Sequence, residues 1–336
     1  MRIALLLALL ALVAPASASA HAGQTGGTDY RSTVTSTPGG MHARMVGGDD
    51  RLEVVRTTAR EVIVLGYGGE PYVRLDARGV WENRNSPAVA LNDTRHAEPT
   101  GGAGGPPRWV RIGGGDSIVF HDHRAHWMGS QPPAAVRADP RRSRVLYDWS
   151  VPVRVDGRDA AIRGDLAWVA PPATWLWWTL AAFAVALAVV AGLVLRVAAA
   201  APLGIAGMLT AAGAAITTGL AQQSDVPDGG TAAIVGLAIG VALVVAGLFL
   251  GHRLRAQPPQ ALTVLLLVAL IAGVIPLVGF ASAAFAYAVV PGALPATATR
   301  ALVVIGLAGV GLTTGACARA WRDALSGASR AGADAW

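Results

Sequence analysis

The chain has 336 residues, 53% of them hydrophobic and only 14% charged, whereas an ordinary soluble protein is roughly a quarter charged. Together with a mean hydropathy of +0.46, this excludes a single soluble globular domain and a disordered chain, and points to a membrane protein. Residues 21–173 carry 19 of the 27 basic residues and 17 of the 21 acidic ones, whereas residues 174–336 carry 7 Arg and 4 acids; there is no Lys, and the scattered Arg do not indicate a nucleic-acid partner.

Residues 1–20 read as a signal peptide, with an uncleaved anchor helix as the alternative. Arg2 is the positive start, Ile3 to Val13 the apolar stretch, and Ala18-Ser19-Ala20 the small residues of a cleavage site. Ala20-His21-Ala22 offers a second A-x-A cut, so the mature chain starts at His21 or past it. Residues 21–40, rich in Gly, Thr, Ser and Pro, read as a flexible lead-in.

From about Met41 the pattern changes to short runs rich in Val, Ile, Tyr and Trp, separated by turn signals. The runs are 52–57, 61–65, 72–75, 79–82, 109–112, 117–120, 145–149, 151–155 and 161–169. Asp156-Gly157 between two alternating runs is a hairpin signal. Evenly spaced short strands predict an all-β, immunoglobulin-like sandwich over 41–173. The single cysteine, Cys317, lies in a hydrophobic segment, so no disulfide framework supports that domain.

Beyond residue 173 the chain predicts an α-helical transmembrane bundle of about five helices, near 175–195, 199–220, 231–251, 261–287 and 301–320, each long enough for a hydrocarbon core of about 30 Å. Residues 321–336 form the tail. Arg196, Arg253, Arg255, Arg319, Arg322 and Arg330 fall on one side of these spans, with Arg300 the exception. The positive-inside rule then places the β domain outside and the tail in the cytoplasm, as the signal peptide does. The expectation is a multi-pass plasma-membrane protein whose first partner is the lipid bilayer. No ionisable residue lies in the middle of a span, which disfavours a proton or ion pathway. The pairs Gly236/Gly240, Gly247/Gly251 and Gly311/Gly315 permit close helix packing; the oligomeric state is left open.

The most distinctive segment is Phe120-His121-Asp122-His123-Arg124-Ala125-His126-Trp127-Met128. In a strand, His121 and His123 share a face, and a bend at Arg124-Ala125 brings His126 to the same point. Three imidazoles beside the Met128 thioether suit copper, and three imidazoles with water suit zinc. A mature His21 adds an amine and an imidazole, and Met41, His42 and Met45 form a second soft cluster. The competing reading makes these histidines structural, hydrogen-bonded at a sandwich rim, with Asp122 and Arg124 facing away as an ion-pairing surface. The H-x-H-x-x-H pattern is similar to the H-x-H-x-D-H motif of metallo-β-lactamase-type hydrolases, but Ala125 replaces the Asp and the strand-only pattern lacks that fold's helices.

Gly66–Arg74, Trp81–Pro87, Pro107–Val110 and His121–Met128 together resemble an uncharacterised family of high-GC bacterial membrane proteins, which implies a signal peptide, a β-rich extracytoplasmic domain and C-terminal helices. His21-Ala22 more loosely resembles the mature start of CopC-type copper-binding sandwiches. The resulting expectation is an outer domain that binds a transition metal, copper first and zinc second, for metal handling or sensing. One alternative is a non-enzymatic envelope protein whose outer domain binds a protein or glycan partner, with Trp81, Trp109, Trp127 and Trp149 as contact residues. The other is a mononuclear zinc hydrolase.

Overall fold

The computed structural model describes residues 27–92, 105–197, 199–200, 202–209, 277–290 and 294–333. The expected signal peptide, His21, the 231–251 span and the 252–255 arginine loop lie outside them. The described residues form two compact units, a β unit over 28–171 and a helical unit that takes in the residues from 172 onward.

Among the described residues the β unit contains ten strands: β1 Tyr30–Ser36, β2 Met41–Val46, β3 Arg51–Arg56, β4 Val62–Leu65, β5 Pro71–Asp76, β6 Gly79–Asn83, β7 Trp109–Gly113, β8 Ser117–Phe120, β9 Arg144–Val155 and β10 Arg158–Trp168. Two short helices interrupt them, α1 Ala88–Leu91 and α2 Ala134–Ala138. A seven-stranded sheet runs β1-β10-β9-β4-β5-β6-β7, and a three-stranded sheet runs β2-β3-β8. Every recorded pairing is antiparallel. Leu52 and Val54 of the small sheet pack with Val62, Val64, Val73, Leu75, Val151, Val153, Ile162 and Leu166 of the large one in a single core. These β-branched and γ-branched side chains fill a pleated surface well, which is why the runs read from the sequence became strands.

The expected runs at 145–149 and 151–155 are one continuous strand, β9. Pro152 sits within it opposite Ala161, without ending it. The hairpin to β10 turns on Asp156 and Gly157, both with positive φ (48° and 74°), the geometry of a type I′ turn. Two strands fall outside the expected set. β1 lies within the stretch expected to be a flexible lead-in, which corrects that reading for residues 30–36. Its polar sequence YRSTVTS hides a strand because the edge position asks little burial of it: it pairs with β10 from Tyr30↔Trp168 onward, and Tyr30 packs edge-on against Trp168 with ring centroids 5.2 Å apart. β2 takes up Met41, His42 and Met45. Met41 is buried and His42 is exposed, as strand alternation requires, so these residues do not converge on one point.

In the helical unit, α3 spans Thr174–Val194, α4 Leu277–Ala286 and α5 Ala296–Ala333. Among the described residues, α3 and the first 28 residues of α5 are long and apolar enough to cross a membrane. These two helices pack backbone to backbone. A Cβ added to Gly311 would lie 2.6 Å from the Val185 carbonyl oxygen, and one added to Gly192 would lie 2.5 Å from that of Leu312. Glycine is therefore required at this crossing. The Gly236/Gly240 and Gly247/Gly251 pairs lie outside the described residues. Arg300, the exception to the arginine pattern, is buried; its guanidinium donates to the carbonyls of Ala284 (2.9 Å), Tyr287 (2.6 Å) and Ala288 (3.2 Å). It thereby closes the C-terminal end of α4, where carbonyls lack intrahelical partners.

Candidate functional site

Strand β8 ends at Phe120, whose ring meets Tyr72 edge-on at 5.7 Å. The chain then turns instead of continuing as a strand, and the Ala125 amide donates to the Asp122 carbonyl at 2.9 Å. This turn, not strand alternation, brings the expected residues together. The His123 and His126 rings lie 5.3 Å apart between centroids, and His121 and His126 lie 6.0 Å apart. His126 is buried, while His121 and His123 are half-buried. Met128 stands at the surface with 40% exposure, and His21 lies outside the described residues. Among the described residues, no group of three or more His, Cys, Asp or Glu side chains is arranged to hold a metal ion.

The loop is held from beneath by an ion pair that the sequence suggested would face away from the histidines. The Asp122 carboxylate is buried. Arg124 Nε donates to its Oδ1 at 2.8 Å and Arg124 Nη2 to its Oδ2 at 2.7 Å, a bidentate pair. The same Nη2 donates to the Leu65 carbonyl at 3.1 Å. The guanidinium also lies 4.7 Å over the Tyr67 ring, an arrangement that stacks one face of the cation and leaves its N–H edge for the carboxylate.

Tyr67 ties the loop to the segment after β4. Its hydroxyl accepts the His123 amide at 2.9 Å and donates to the Asn92 side chain. Burial, aided by the Asp122 charge, holds this phenol well above its usual range. On the far side, the Tyr147 hydroxyl of β9 donates to the His126 carbonyl at 2.7 Å. Burial, with the Asp49 charge adding to it, pushes Tyr147 up to about 12. The β2–β3 turn contributes Asp50, whose Oδ1 lies 3.6 Å from His121 Nε2.

Tyr67, Asn92, Tyr147 and Asp50 are the residues that sequence reasoning missed. Gly47-Gly48-Asp49-Asp50 is legible as a turn, but nothing local says that it meets a loop some seventy residues later. The segments at 66–74, 81–87 and 107–110 do converge by tertiary contact. Ser86 donates to Glu70 at 2.6 Å, Asn83 Nδ2 donates to the Pro71 carbonyl at 2.7 Å, and the Arg108 amide donates to Asn83 Oδ1 at 2.8 Å. Of the four expected contact tryptophans, Trp149 is core. Trp127 stacks near Tyr30 and donates to the Gln131 carbonyl at 2.9 Å. Trp81 and Trp109 lie together on the β6–β7 side of the large sheet. No protein-family model, curated protein or solved structure matches the chain.

Proposed function

We infer that the β domain binds a transition metal ion at the histidine loop, copper first and zinc second, and that the protein handles or senses that metal at the cell surface. In this reading the two sheets are the layers of an immunoglobulin-like sandwich held outside the plasma membrane. About five helices anchor it, and the C-terminal tail is cytoplasmic. The observation that carries the reading is the convergence of His121, His123 and His126 on one turn.

Three imidazoles around a tetrahedral ion, with bonds of about 2.0 Å, place their ring centroids roughly 5 Å apart. The centroid separations of 5.3 and 6.0 Å are close to that. Binding asks the three rings to close on one point within a loop that Asp122, Arg124, Tyr67 and Tyr147 hold. Imidazole nitrogen suits both copper and zinc. Met128 and a mature His21 are the further candidate ligands. The function is one of binding, not turnover.

The test is native mass spectrometry of the full chain, exported through its own signal, purified in detergent without chelator or histidine tag, and titrated with copper or zinc. One bound ion, lost in His121→Ala/His123→Ala and in His126→Ala, supports the reading. Protein that stays metal-free with either ion in stoichiometric excess overturns it. The same spectrum reports whether the mature chain begins at His21.

A further inference from the structure

The segment that joins the histidine loop to β9 is basic. From Arg137 to Arg144 it reads RADPRRSR, four arginines and one acid. Asp139-Pro140-Arg141-Arg142 forms a turn with Asp first and Pro second, the residues such turns favour. The Arg142 amide closes it on the Asp139 carbonyl at 3.4 Å. Arg144 builds the segment from within: its Nε donates to the Arg142 carbonyl at 3.4 Å and its Nη2 to the Asp139 carbonyl at 3.1 Å. Its guanidinium also lies 3.9 Å from the Asp139 carboxylate. The segment is tied in turn to the last residues of the β unit. The Trp168 indole donates to the Pro140 carbonyl at 2.8 Å, and the Ala170 amide donates to the Ser143 hydroxyl oxygen at 2.9 Å.

Three arginines are left over. Arg137, Arg141 and Arg142 are exposed and make no ion pair among the described residues, because the acid of the segment is the one that Arg144 takes. What they meet follows from the chain. Ala170 precedes Thr174, the first residue of α3, by four residues, which reach at most about 14 Å when extended. α3 opens with Trp175 and Trp178, 69% and 37% exposed, as the aromatic residues at the headgroup level of a span are. A rigid basic turn on so short a tether stands within range of the headgroups, since charges act over about 8–10 Å in physiological salt. Arginine edges match phosphate with two hydrogen bonds, and clustered arginines beside a span select anionic lipid. In sequence these arginines lie some thirty residues before α3, too far to weigh in the loop-charge rule that orients the spans.

We propose that Arg137, Arg141 and Arg142 are a docking surface for the anionic phospholipid headgroups of the bilayer that α3 enters. The proposal rests on the reading that α3 crosses a membrane and is independent of any metal at the histidine loop. The contact holds the β unit to the lipid surface by a salt-sensitive attachment.

The experiment uses the full chain in vesicles of phosphatidylcholine alone or with about 30% phosphatidylglycerol. Ala138→Cys, at an exposed position between the arginines, carries a fluorophore, and Cys317→Ala removes the native thiol. A trace of phosphatidylcholine with a nitroxide on its headgroup quenches the dye only at the membrane surface. Quenching is expected to rise about twofold or more with phosphatidylglycerol and to fall back at high salt. Arg137→Gln/Arg141→Gln/Arg142→Gln abolishes the rise. Arg111→Gln/Arg158→Gln/Arg163→Gln removes the same charge from exposed positions elsewhere and keeps it. Both variants melt with their parent, because all six side chains are exposed. Equal quenching in the two lipids, a rise that survives high salt, or a rise that both triple variants lose alike overturns the proposal. A carbonate wash separates it from its foundation. Chain that washes off the vesicles overturns the membrane reading and the docking surface together, whereas chain that stays while its quenching ignores phosphatidylglycerol overturns the docking surface alone.

Discussion

Arg124→Ala is the most informative single substitution in the β unit. Asp122 has a fully buried side chain and Arg124 a side chain that is 20% exposed, so the pair belongs with buried ion pairs and not with surface ones. Removing the arginine leaves a fully buried carboxylate without its counter-charge, held by the amide of residue 124 at 3.1 Å. Breaking a buried pair in this way costs about 3–5 kcal/mol, whereas an exposed pair contributes about 0–1 kcal/mol. For a unit the size of residues 28–171, each kcal/mol lowers the melting temperature by about 3 °C, so a fall of roughly 10–15 °C is expected. The assay is thermal unfolding of the full chain in detergent, followed through tryptophan emission, which the β unit contributes in part. The control is the double variant Asp122→Ala/Arg124→Ala. It removes the stranded charge with its partner and so melts no lower than Arg124→Ala alone, a coupling of the kind double-mutant cycles detect. A loss under about 1 kcal/mol for Arg124→Ala, or strictly additive costs, would refute the view that this pair is buried and holds the histidine loop.

The Tyr147 phenol gives a pH dependence. Its folded-state pKa is raised from 10.0 to about 12, so its contribution is fully present below about pH 10 and is lost as pH rises toward 12, because the unfolded chain releases the proton first. Stability measured across that window should decline less steeply in Tyr147→Phe, which at neutral pH is weaker by about 1 kcal/mol for the lost hydrogen bond to His126; parallel declines would count against the raised pKa. At Gly164 in β10, an added Cβ meets the Trp149 ring and the Thr33 carbonyl oxygen, so Gly164→Ala should cost about 1–3 kcal/mol, and a neutral effect in the same melting assay would show that β1 is free to move away. Gly311→Leu should separate α3 from α5 and raise protease sensitivity of the helical unit in micelles, while Thr314→Leu, at an exposed position of the same helix, should not.

Much of the β unit was legible because its determinants are local. Runs of Val, Ile, Tyr and Trp between glycine turns are read residue by residue, and Asp156-Gly157 sets a type I′ turn whatever surrounds it. The long apolar stretches that became α3 and α5 were likewise legible, since length and composition alone qualify a helix to cross a bilayer. β1 was not legible, because it exists by pairing with β10 and its own sequence carries little burial signal. The Gly311/Gly315 spacing was visible in the sequence, but only the packed helices showed that the neighbouring backbone occupies the space a side chain would need.

The histidine loop divides in the same way. The sequence by itself determined that His121, His123 and His126 lie within one short segment of a β-rich domain, and that Asp122 and Arg124 alternate with them. Only the tertiary structure decided how they are used. The chain turns at Asp122–Ala125, so the acid goes inward to a bidentate arginine and the rings gather on one side. Tyr67, Tyr147 and Asp50 arrive from strands and turns far away in sequence. Local propensity reflects the few residues around a position, whereas ion pairing, burial and ring contact depend on which distant strands the sheets bring alongside.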